Sequence, residues 1–337
     1  MALEILFKNN KGSATRAQIE ADKFMQRLFD HNEDVGAISS LITGQPGSCK
    51  TACLCAMTEH AMMTYPNDKI FWRSALNAPI QIFKLPKWHI YIQKGSGIRL
   101  IDRINGKDVT DKYEKNGDLT YFVDVQHLYS ICKPGICNGV FFRDLYLRGI
   151  SKDSGKLMWF RFVEELLHKF EWNFVFIDEY QELIKAGSRG ELYWEIDRHA
   201  DVVSNARKSN VSLHSDCHQL QEIDYRVKNE YMLLTQMYGS IKDKNSPVSR
   251  KALGSIPRPT EKKGADAWIS EGGNYGHITF KKVYKLAKGI SVEARIVEQY
   301  EDVKRCIICN RKFIPRDEMH EICDYVCEKH SKMAEKG

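Results

Sequence analysis

The stretch GQPGSCKT, residues 44–51, constrains the fold of this chain more than any other. It matches the phosphate-loop pattern G-x-x-x-x-G-K-[ST] at Gly44, Lys50 and Thr51, and Cys49 takes the place of the second glycine. An apolar, strand-like segment precedes it, and a segment rich in good helix formers follows it. Strand, glycine loop and helix in this order predict an α/β fold in which backbone N–H groups at a helix N-terminus bind phosphate.

The residues of this loop have separate predicted roles. The Lys50 ammonium would neutralise the β- and γ-phosphate oxygens of ATP, and the Thr51 hydroxyl would reach Mg²⁺. A Cβ at Cys49 matters only if the loop needs a left-handed backbone there. The predicted nucleotide-binding residues are Gly44, Gln45, Pro46, Gly47, Ser48, Cys49, Lys50, Thr51 and, from the next motif, Asp178.

A second motif, NFVFIDEYQE at 173–182, is an apolar run that ends in two adjacent acids. We expect Asp178 to hold Mg²⁺ together with Thr51, and Glu179 to polarise the attacking water, since the end of this strand would lie beside the phosphate loop. A buried strand with acids where it meets solvent is the structural alternative. The two motifs in this order favour a nucleotide-hydrolysing site.

The combination resembles the additional-strand division of P-loop NTPases, and within it the FtsK/HerA-like ATPases. That group includes DNA-pumping motors, viral genome-packaging ATPases and zonula occludens toxin-like assembly ATPases. The residues that carry the closer resemblance are Arg207 before a strand and Leu220, Ile223, Asp224 and Arg226 after it. The resemblance implies an ATP-hydrolysing motor that translocates or packages DNA as a homo-oligomeric ring, with a hexamer as one candidate size.

The resemblance also implies a sensor glutamine and an arginine finger. Aligned on the family pattern, His218 takes the place of the glutamine, and a shift by one residue restores Gln219; both side chains are candidates. Arg207 is the candidate finger, acting on its own or an adjacent subunit's nucleotide, and a solvated arginine at a helix end is the alternative. Arg198 and Arg189 are weaker candidates.

The predicted fold class is an α/β P-loop NTPase with a mainly parallel central sheet flanked by helices, a β-rich insertion and a small zinc-binding module. An N-terminal helix over 13–31 is expected to bury Phe24, Met25, Leu28 and Phe29. The predicted divisions are an ATPase domain over 1–240 with an antiparallel insertion at about 79–125, a basic, proline-containing loop or linker over 241–265, a β-hairpin extension over 266–300 and a zinc module over 301–337.

The C-terminal tail carries closely spaced cysteines and histidines. C-x-x-C spacing lets Cys306 and Cys309 ligate one Zn²⁺, and Cys327 and His330 form the most economical second pair, similar to treble-clef zinc knuckles. The alternates for the second pair are Cys323 and His320. The basic surface of this module suits either DNA or a protein partner.

Composition narrows the class of protein further. A net charge of +6 permits contact with DNA without requiring it. The sequence contains no run of about 20 apolar residues and no signal-peptide core, so we expect a cytoplasmic protein without direct membrane insertion. The ten cysteines then predict free thiols or metal ligands. The alternatives to a DNA motor are a nucleotide-dependent switch or inactive ATPase that recruits partners, and a virion assembly or export ATPase.

Overall fold

The computed structural model describes residues 18–31, 36–142, 154–188, 191–244, 246–271, 273–281, 291–297, 304–305 and 312–313. Its strands are β1 (Gln18–Ile19), β2 (Ser40–Thr43), β3 (Lys69–Arg73), β4 (Trp88–Gln93), β5 (Ile98–Asp102), β6 (Leu119–Phe122), β7 (Cys137–Phe141), β8 (Asn173–Ile177), β9 (Val211–Cys217), β10 (Leu233–Met237), β11 (Ala265–Glu271), β12 (Asn274–Phe280), β13 (Val292–Ile296), β14 (Lys304–Arg305) and β15 (Lys312–Phe313). Its α-helices are α1 (Ala21–Phe29), α2 (Lys50–Thr64), α3 (Thr110–Lys115), α4 (Val125–Ile131), α5 (Ser154–Leu167), α6 (Tyr180–Leu183), α7 (Glu191–Ala206), α8 (Tyr225–Lys228) and α9 (Arg250–Gly254). None of these helices is long and apolar enough to span a membrane.

Eleven of the described strands form one sheet in the order β1-β12-β11-β10-β2-β9-β8-β3-β7-β4-β6. From β10 to β6 in this order, the seven pairs of adjacent strands are all parallel. β11 is antiparallel to both β10 and β12. The predicted α/β class with a mainly parallel central sheet is therefore confirmed.

Both faces of the parallel sheet are covered. In β8, Phe174 and Phe176 belong to one hydrophobic cluster, and Val175 and Ile177 belong to the other. This division follows because successive side chains of a strand point to opposite faces. The first cluster includes residues of α1 and α2, and the second includes residues of α5 and α7. Burial on both sides explains why β8 is apolar from Phe174 to Ile177.

The strand order brings three functional loops to one edge of the sheet. β9 lies between β2 and β8, and the three strands are parallel, so their carboxyl ends meet at the same edge. The phosphate loop follows β2, the acidic pair follows β8, and His218 follows β9. The topology thus gathers the predicted site residues from distant parts of the chain, as ligand sites in open α/β sheets require.

The predicted N-terminal helix is present with the buried face that was expected, but it begins later in the chain than predicted. Its four predicted apolar residues are all buried: Phe24, Met25, Leu28 and Phe29. The helix begins at Ala21, and Gln18–Ile19 form a strand that pairs in parallel with β12. Hydrophobic periodicity fixed the buried face but could not show that the residues before it join the sheet edge.

The insertion predicted at about 79–125 is largely part of the main sheet. β4 is parallel to β6 on one side and to β7 on the other, so the antiparallel prediction is wrong for these strands. β5 does pair antiparallel, but its partner is β13, outside the insertion. The alternation of polar and apolar residues shows which face a side chain takes; it does not encode strand direction.

The basic segment at 241–265 is packed against the sheet, which differs from the linker predicted for it. Val248, Leu253 and Ile256 are buried and form a small hydrophobic cluster with Trp268 of β11. The Trp268 indole Nε1 also donates a hydrogen bond to the Ala252 carbonyl oxygen, at 3.2 Å. The charged and proline residues suggested a linker, but the few apolar residues between them dock it.

The hairpin predicted within 266–300 has different partners. β11 and β12 form the hairpin, with a register from Ala265↔Phe280 to Glu271↔Asn274. β13, which lies in the same predicted extension, pairs with β5 instead. The region was correctly predicted to contain β-strands. Which of these strands pair with each other depends on the tertiary fold.

Candidate functional site

The phosphate loop connects β2 to α2 with the backbone that its glycines require. A Cβ on Gly44 would lie 2.6 Å from Ser48 Oγ and 3.1 Å from the Tyr238 carbonyl oxygen, so a side chain there would force a shift. Gly47 has φ +83°, in the left-handed region that favours glycine. The Ser48 N–H donates to the Gln45 carbonyl oxygen at 3.1 Å. This turn leads directly into the helix N-terminus at Lys50.

Cys49 also occupies the left-handed region, with φ 71° and ψ 22°. The pattern has glycine at this position because a Cβ is disfavoured in that conformation. The cysteine therefore adopts the backbone of the glycine it replaces, at a strain of roughly 1–3 kcal/mol. Burial raises the pKa of the Cys49 thiol, which keeps it neutral, and the neighbouring Lys50 opposes this effect only in part.

Lys50 is buried and its ammonium is directed back toward the loop. Nζ donates to the carbonyl oxygens of Gly44 at 2.7 Å and Gln45 at 3.3 Å. It also lies 3.3 Å from Nδ1 of His218. The cation is therefore held at the mouth of the loop, where phosphate oxygens would be neutralised.

Thr51 joins the phosphate loop to two carboxylates. Its Oγ1 lies 3.0 Å from Asp178 Oδ1 and 3.1 Å from Asp216 Oδ2, and its single hydrogen can be donated to one of them at a time. Asp178 follows β8 as predicted, and Asp216 lies in β9. The predicted pair Thr51 and Asp178 thus has a third member that the sequence analysis did not identify.

Asp216 also fixes the backbone of the predicted general base. Its Oδ1 accepts a hydrogen bond from the Glu179 N–H at 2.7 Å. Glu179 has φ 53° and ψ 53°, a left-handed conformation that a glutamate adopts at some cost in energy. One carboxylate therefore contacts both the phosphate loop and the acidic motif.

The two aspartates are both fully buried and close together. Burial first, and then the charge of Asp216, raise the pKa of Asp178 well above its usual range. Burial also raises the pKa of Asp216, against the opposing effect of Lys50. Two buried carboxylates without a cation repel each other, so protonation of the pair is favoured.

These oxygen atoms fit Mg²⁺, which the resemblance implies. Mg²⁺ is usually bound through one or two carboxylates together with substrate phosphates and water. Asp178, Asp216 and the Thr51 hydroxyl supply hard oxygen ligands at one point, beside the loop that would hold the phosphates. A divalent cation there would also offset the repulsion between the carboxylates.

The structure places the two sensor candidates differently. His218 directs Nδ1 toward Lys50, and its carbonyl oxygen accepts from the Gly44 N–H at 3.2 Å. The Gln219 amide instead binds the backbone of the neighbouring loop, donating to Gly239 O at 3.3 Å and accepting from Ile241 N at 3.2 Å. His218 is therefore the side chain nearer the phosphate loop.

Arg207 lies at the opposite edge of the sheet from this site. It precedes β9, and its carbonyl oxygen accepts from the Ala37 N–H ahead of β2. β9 is seven residues long, which separates its two ends by about 20 Å. Arg207 does not reach the phosphate loop of its own chain, and its action on a neighbouring subunit stays a prediction. Arg198 pairs with Glu164 at 2.6 Å, and Arg189 lies outside the described residues.

Several solved structures are similar to this chain. The genome-packaging NTPase from Sulfolobus turreted icosahedral virus 2, in complex with AMPPCP, is 10% identical, with a TM-score of 0.44 over 73% of this chain and 97% of that chain. The N-terminal domain of zonular occludens toxin from Neisseria meningitidis is 14% identical, with a TM-score of 0.35 over 75% of this chain and all of that chain. A further ATPase domain is 12% identical, with a TM-score of 0.42 over 80% and 89% of the two chains.

The similarity is structural and remote. No protein-family model matches this chain, and no curated protein matches it in sequence. The TM-scores are low, so these similarities do not assign an activity, a partner or a residue role to this chain. The roles discussed below rest on its own residues.

The predicted zinc ligands lie outside the described residues. These are Cys306, Cys309, Cys327 and His330, with the alternates Cys323 and His320. In the part of the chain that the structure describes, no group of three or more His, Cys, Asp or Glu side chains could hold a metal ion. β14 and β15, which come before and after the first cysteine pair in the sequence, are paired antiparallel. The zinc site stays a prediction.

Sequence reasoning missed two residues of the site. Asp216 could have been noticed, because SDC at 215–217 places an acid near the end of a strand otherwise suited to a buried position. Arg73, at the end of β3, is buried and donates from Nη1 to the Asp178 carbonyl oxygen at 3.1 Å. Its role depends on β3 lying next to β8, which no sequence motif records.

Proposed function

We propose that this chain hydrolyses ATP at the site formed by the phosphate loop, Asp178, Glu179 and Asp216. The observation that carries the proposal is the position of the Thr51 hydroxyl, within hydrogen-bond distance of both aspartates and next to Lys50 in sequence. A phosphate loop that is only a glycine turn before a helix would not need two buried carboxylates at its threonine. The cluster is what a Mg²⁺-nucleotide site requires.

In the proposed reaction, a water oxygen bonds to the γ-phosphorus of ATP, and the bond from that phosphorus to the bridging oxygen of ADP breaks. Glu179 would accept the proton of the attacking water, and Lys50 would stabilise charge on the phosphate oxygens. Thr51, Asp178 and Asp216 would hold Mg²⁺, which when bound neutralises phosphate charge. His218 would orient the water or sense the γ-phosphate.

We further propose that hydrolysis drives translocation or packaging of DNA by a homo-oligomeric ring. The support is the resemblance to FtsK/HerA-like ATPases carried by the loop, the acidic strand end and the segment after β9, together with the net charge of +6. Within this proposal the C-terminal module binds Zn²⁺ and contacts DNA or a protein partner. A virion assembly or export ATPase is the alternative within the motor class.

A second candidate is a nucleotide-dependent switch or inactive ATPase. Two observations favour it: the left-handed conformation at Cys49, a non-glycine residue, and His218 at the place of the sensor glutamine. Such a protein would bind Mg²⁺-ATP, change its partners and release no phosphate.

One experiment separates these candidates. Phosphate release is measured for wild type, Lys50→Ala and the exposed-lysine control Lys251→Ala, with and without single- and double-stranded DNA. We expect Lys50→Ala to lower turnover by on the order of 100-fold or more, because a cation at the phosphates is lost. Unchanged turnover in Lys50→Ala would overturn the ATPase proposal, whereas ATP binding without hydrolysis in wild type would identify the switch. Stimulation by DNA tests the motor separately.

A further inference from the structure

One flank of the phosphate loop is covered by residues that follow β10. The Gln45 N–H donates to the Tyr238 carbonyl oxygen at 3.0 Å. A Cβ on Gly239 would lie 2.4 Å from Gln45 Cδ, so the side chain of Gln45 packs directly on the glycine. This flank is opposite to the one formed by His218, because β10 and β9 lie on either side of β2.

The basic segment beyond β10 brings an arginine to the same flank. The Arg258 Nη2 atom lies 4.0 Å from the position that a Cβ on Gly47 would occupy. Gly47 is exposed, in the loop whose backbone, together with its lysine, cradles the β- and γ-phosphates in P-loop NTPases. A guanidinium at this distance from the loop is within reach of phosphate oxygens bound there.

The backbone around Arg258 is held in place on both sides. Ile256 is buried in the cluster with Trp268, and Pro259 is buried as well. Pro257 and Pro259 restrict their own φ angles, and Pro259 also restricts Arg258 to an extended backbone. Two hydrogen bonds between Thr260 and Gly264 then close the following turn, at 3.2 and 2.8 Å. Little conformational entropy remains for a ligand to remove from this segment.

Arg258 itself has no competing partner in the described part of the chain. It is exposed and makes no hydrogen bond or ion pair there. By contrast, Arg226 is paired with Asp224 at 2.9 Å, and Arg73 with the Asp178 carbonyl oxygen. An unpaired guanidinium held beside a phosphate loop is suited to bind the oxygens of a phosphate group, since its planar fork matches their geometry.

We propose that Arg258 contacts the terminal phosphates of the bound nucleotide and acts as an arginine finger within its own chain. This inference rests on the proposed function, because it assumes that Gly44 to Thr51 bind a nucleoside triphosphate. It assigns to Arg258 the task that the sequence pattern suggested for Arg207, which lies at the far edge of the sheet. The charge that Arg258 stabilises is the one that develops on the γ-phosphate oxygens as the bond to ADP breaks.

The test compares wild type, Arg258→Ala, Arg258→Lys and the control Arg250→Ala, an exposed arginine of the same segment on α9. Phosphate release gives kcat and KM. The Kd values for a fluorescent ADP and a fluorescent non-hydrolysable ATP analogue, both with Mg²⁺, give a readout independent of turnover. We expect Arg258→Ala to lower kcat by about 100-fold or more and to lower the preference for the triphosphate by roughly tenfold.

Arg258→Lys keeps the positive charge but lacks the planar guanidinium, which can donate two parallel hydrogen bonds. Its kcat and its preference for the triphosphate should therefore both lie between those of wild type and Arg258→Ala. Arg250→Ala should match wild type, and ADP affinity should stay within about twofold of wild type in all variants, because the β-phosphate keeps its loop contacts. If wild type binds the triphosphate and Arg258→Ala leaves kcat and the ATP-to-ADP preference unchanged, the inference is overturned and the proposed function stands. If wild type binds neither nucleotide, the proposed function is overturned and the inference with it.

Discussion

At the residue scale, two of the five described non-glycine residues with positive φ lie in the proposed site. Cys49 and Glu179 have positive φ angles of 71° and 53°, and both belong to the proposed nucleotide site. Non-glycine residues in this region persist where the surrounding structure holds them, and they cluster at functional sites. Glu179 is held by its hydrogen bond to Asp216. Cys49 precedes α2, and its own side chain makes no capping hydrogen bond there.

Cys49→Gly tests whether the cysteine side chain contributes to nucleotide binding. Glycine adopts the same backbone without the Cβ, so we expect nucleotide affinity to stay equal or to improve. We expect the free energy of unfolding to rise, because the roughly 1–3 kcal/mol of strain that is relieved exceeds the roughly 0.4–1 kcal/mol that the more flexible unfolded chain costs. Fluorescent nucleotide titration and denaturant unfolding measure the two quantities. Cys49→Ala, which keeps the Cβ and removes the thiol, is the matched control. A large loss of affinity in both variants would show that the thiol itself has a role.

Asp216→Asn tests the second carboxylate. The amide oxygen can still accept from the Glu179 N–H, but one buried negative charge is removed. We expect the affinity for a fluorescent Mg²⁺-nucleotide to fall by about 10- to 100-fold, and the affinity in EDTA to change little. Asp201→Asn, on the exposed side of α7, is the control. Equal Mg²⁺ dependence in Asp216→Asn and wild type would remove Asp216 from the metal site.

The same variant has a pH-dependent effect on stability without nucleotide. Because the pKa values of Asp178 and Asp216 are raised in the fold, the native state binds more protons than the unfolded state. Stability from this pair is therefore lost as pH rises above the ordinary aspartate range of about 4. Asp216→Asn should be more stable than wild type at neutral pH, and this difference should shrink toward acid pH in thermal unfolding.

At the element scale, local sequence patterns were sufficient to locate the strands of the core. They were insufficient to predict which strands lie next to each other and in which direction they run. β8 was recognisable because a strand buried on both faces is a nearly continuous apolar run, here Phe174 to Ile177; β9 is buried too, but it carries polar residues such as His214 and Asp216. The segments of β4 and β6 were predicted to form an antiparallel insertion, but in the structure they are parallel strands of the main sheet. The segment predicted as a loop or linker over 241–265 is docked by a few apolar residues, which a composition averaged over the segment does not reveal.

Leu253→Ala tests whether the basic segment is part of the folded core. Leu253 is 4% exposed, so a docked segment should lose about 2–5 kcal/mol of unfolding free energy on this truncation. Faster proteolysis within 246–263 should accompany it. Lys251→Ala, an exposed change on the same helix, should leave both measurements unchanged. A loss from Leu253→Ala no larger than that of the control would restore the linker interpretation.

At the scale of the whole molecule, the position of an arginine relative to the sheet decides what it can do. Arg207 and Arg258 are both exposed, yet one lies at the strand end opposite the phosphate loop and the other lies beside Gly47. A finger at Arg207 would need a second subunit, whereas Arg258 needs none. The ring, the DNA substrate and the zinc module concern surfaces between molecules or residues outside the described ranges, and they stay predictions.

The sequence by itself determined the α/β class, the phosphate loop and the acidic end of β8. These are local properties, set by backbone conformation and by side chains within a few residues of one another. Tertiary structure alone decided that Asp216 joins Thr51 and Asp178, that His218 rather than Gln219 faces Lys50, and that Arg258 lies at the loop. Those contacts depend on which strands are neighbours and in which direction they run. Strand order results from the packing of the whole sheet, and no short stretch of sequence contains it.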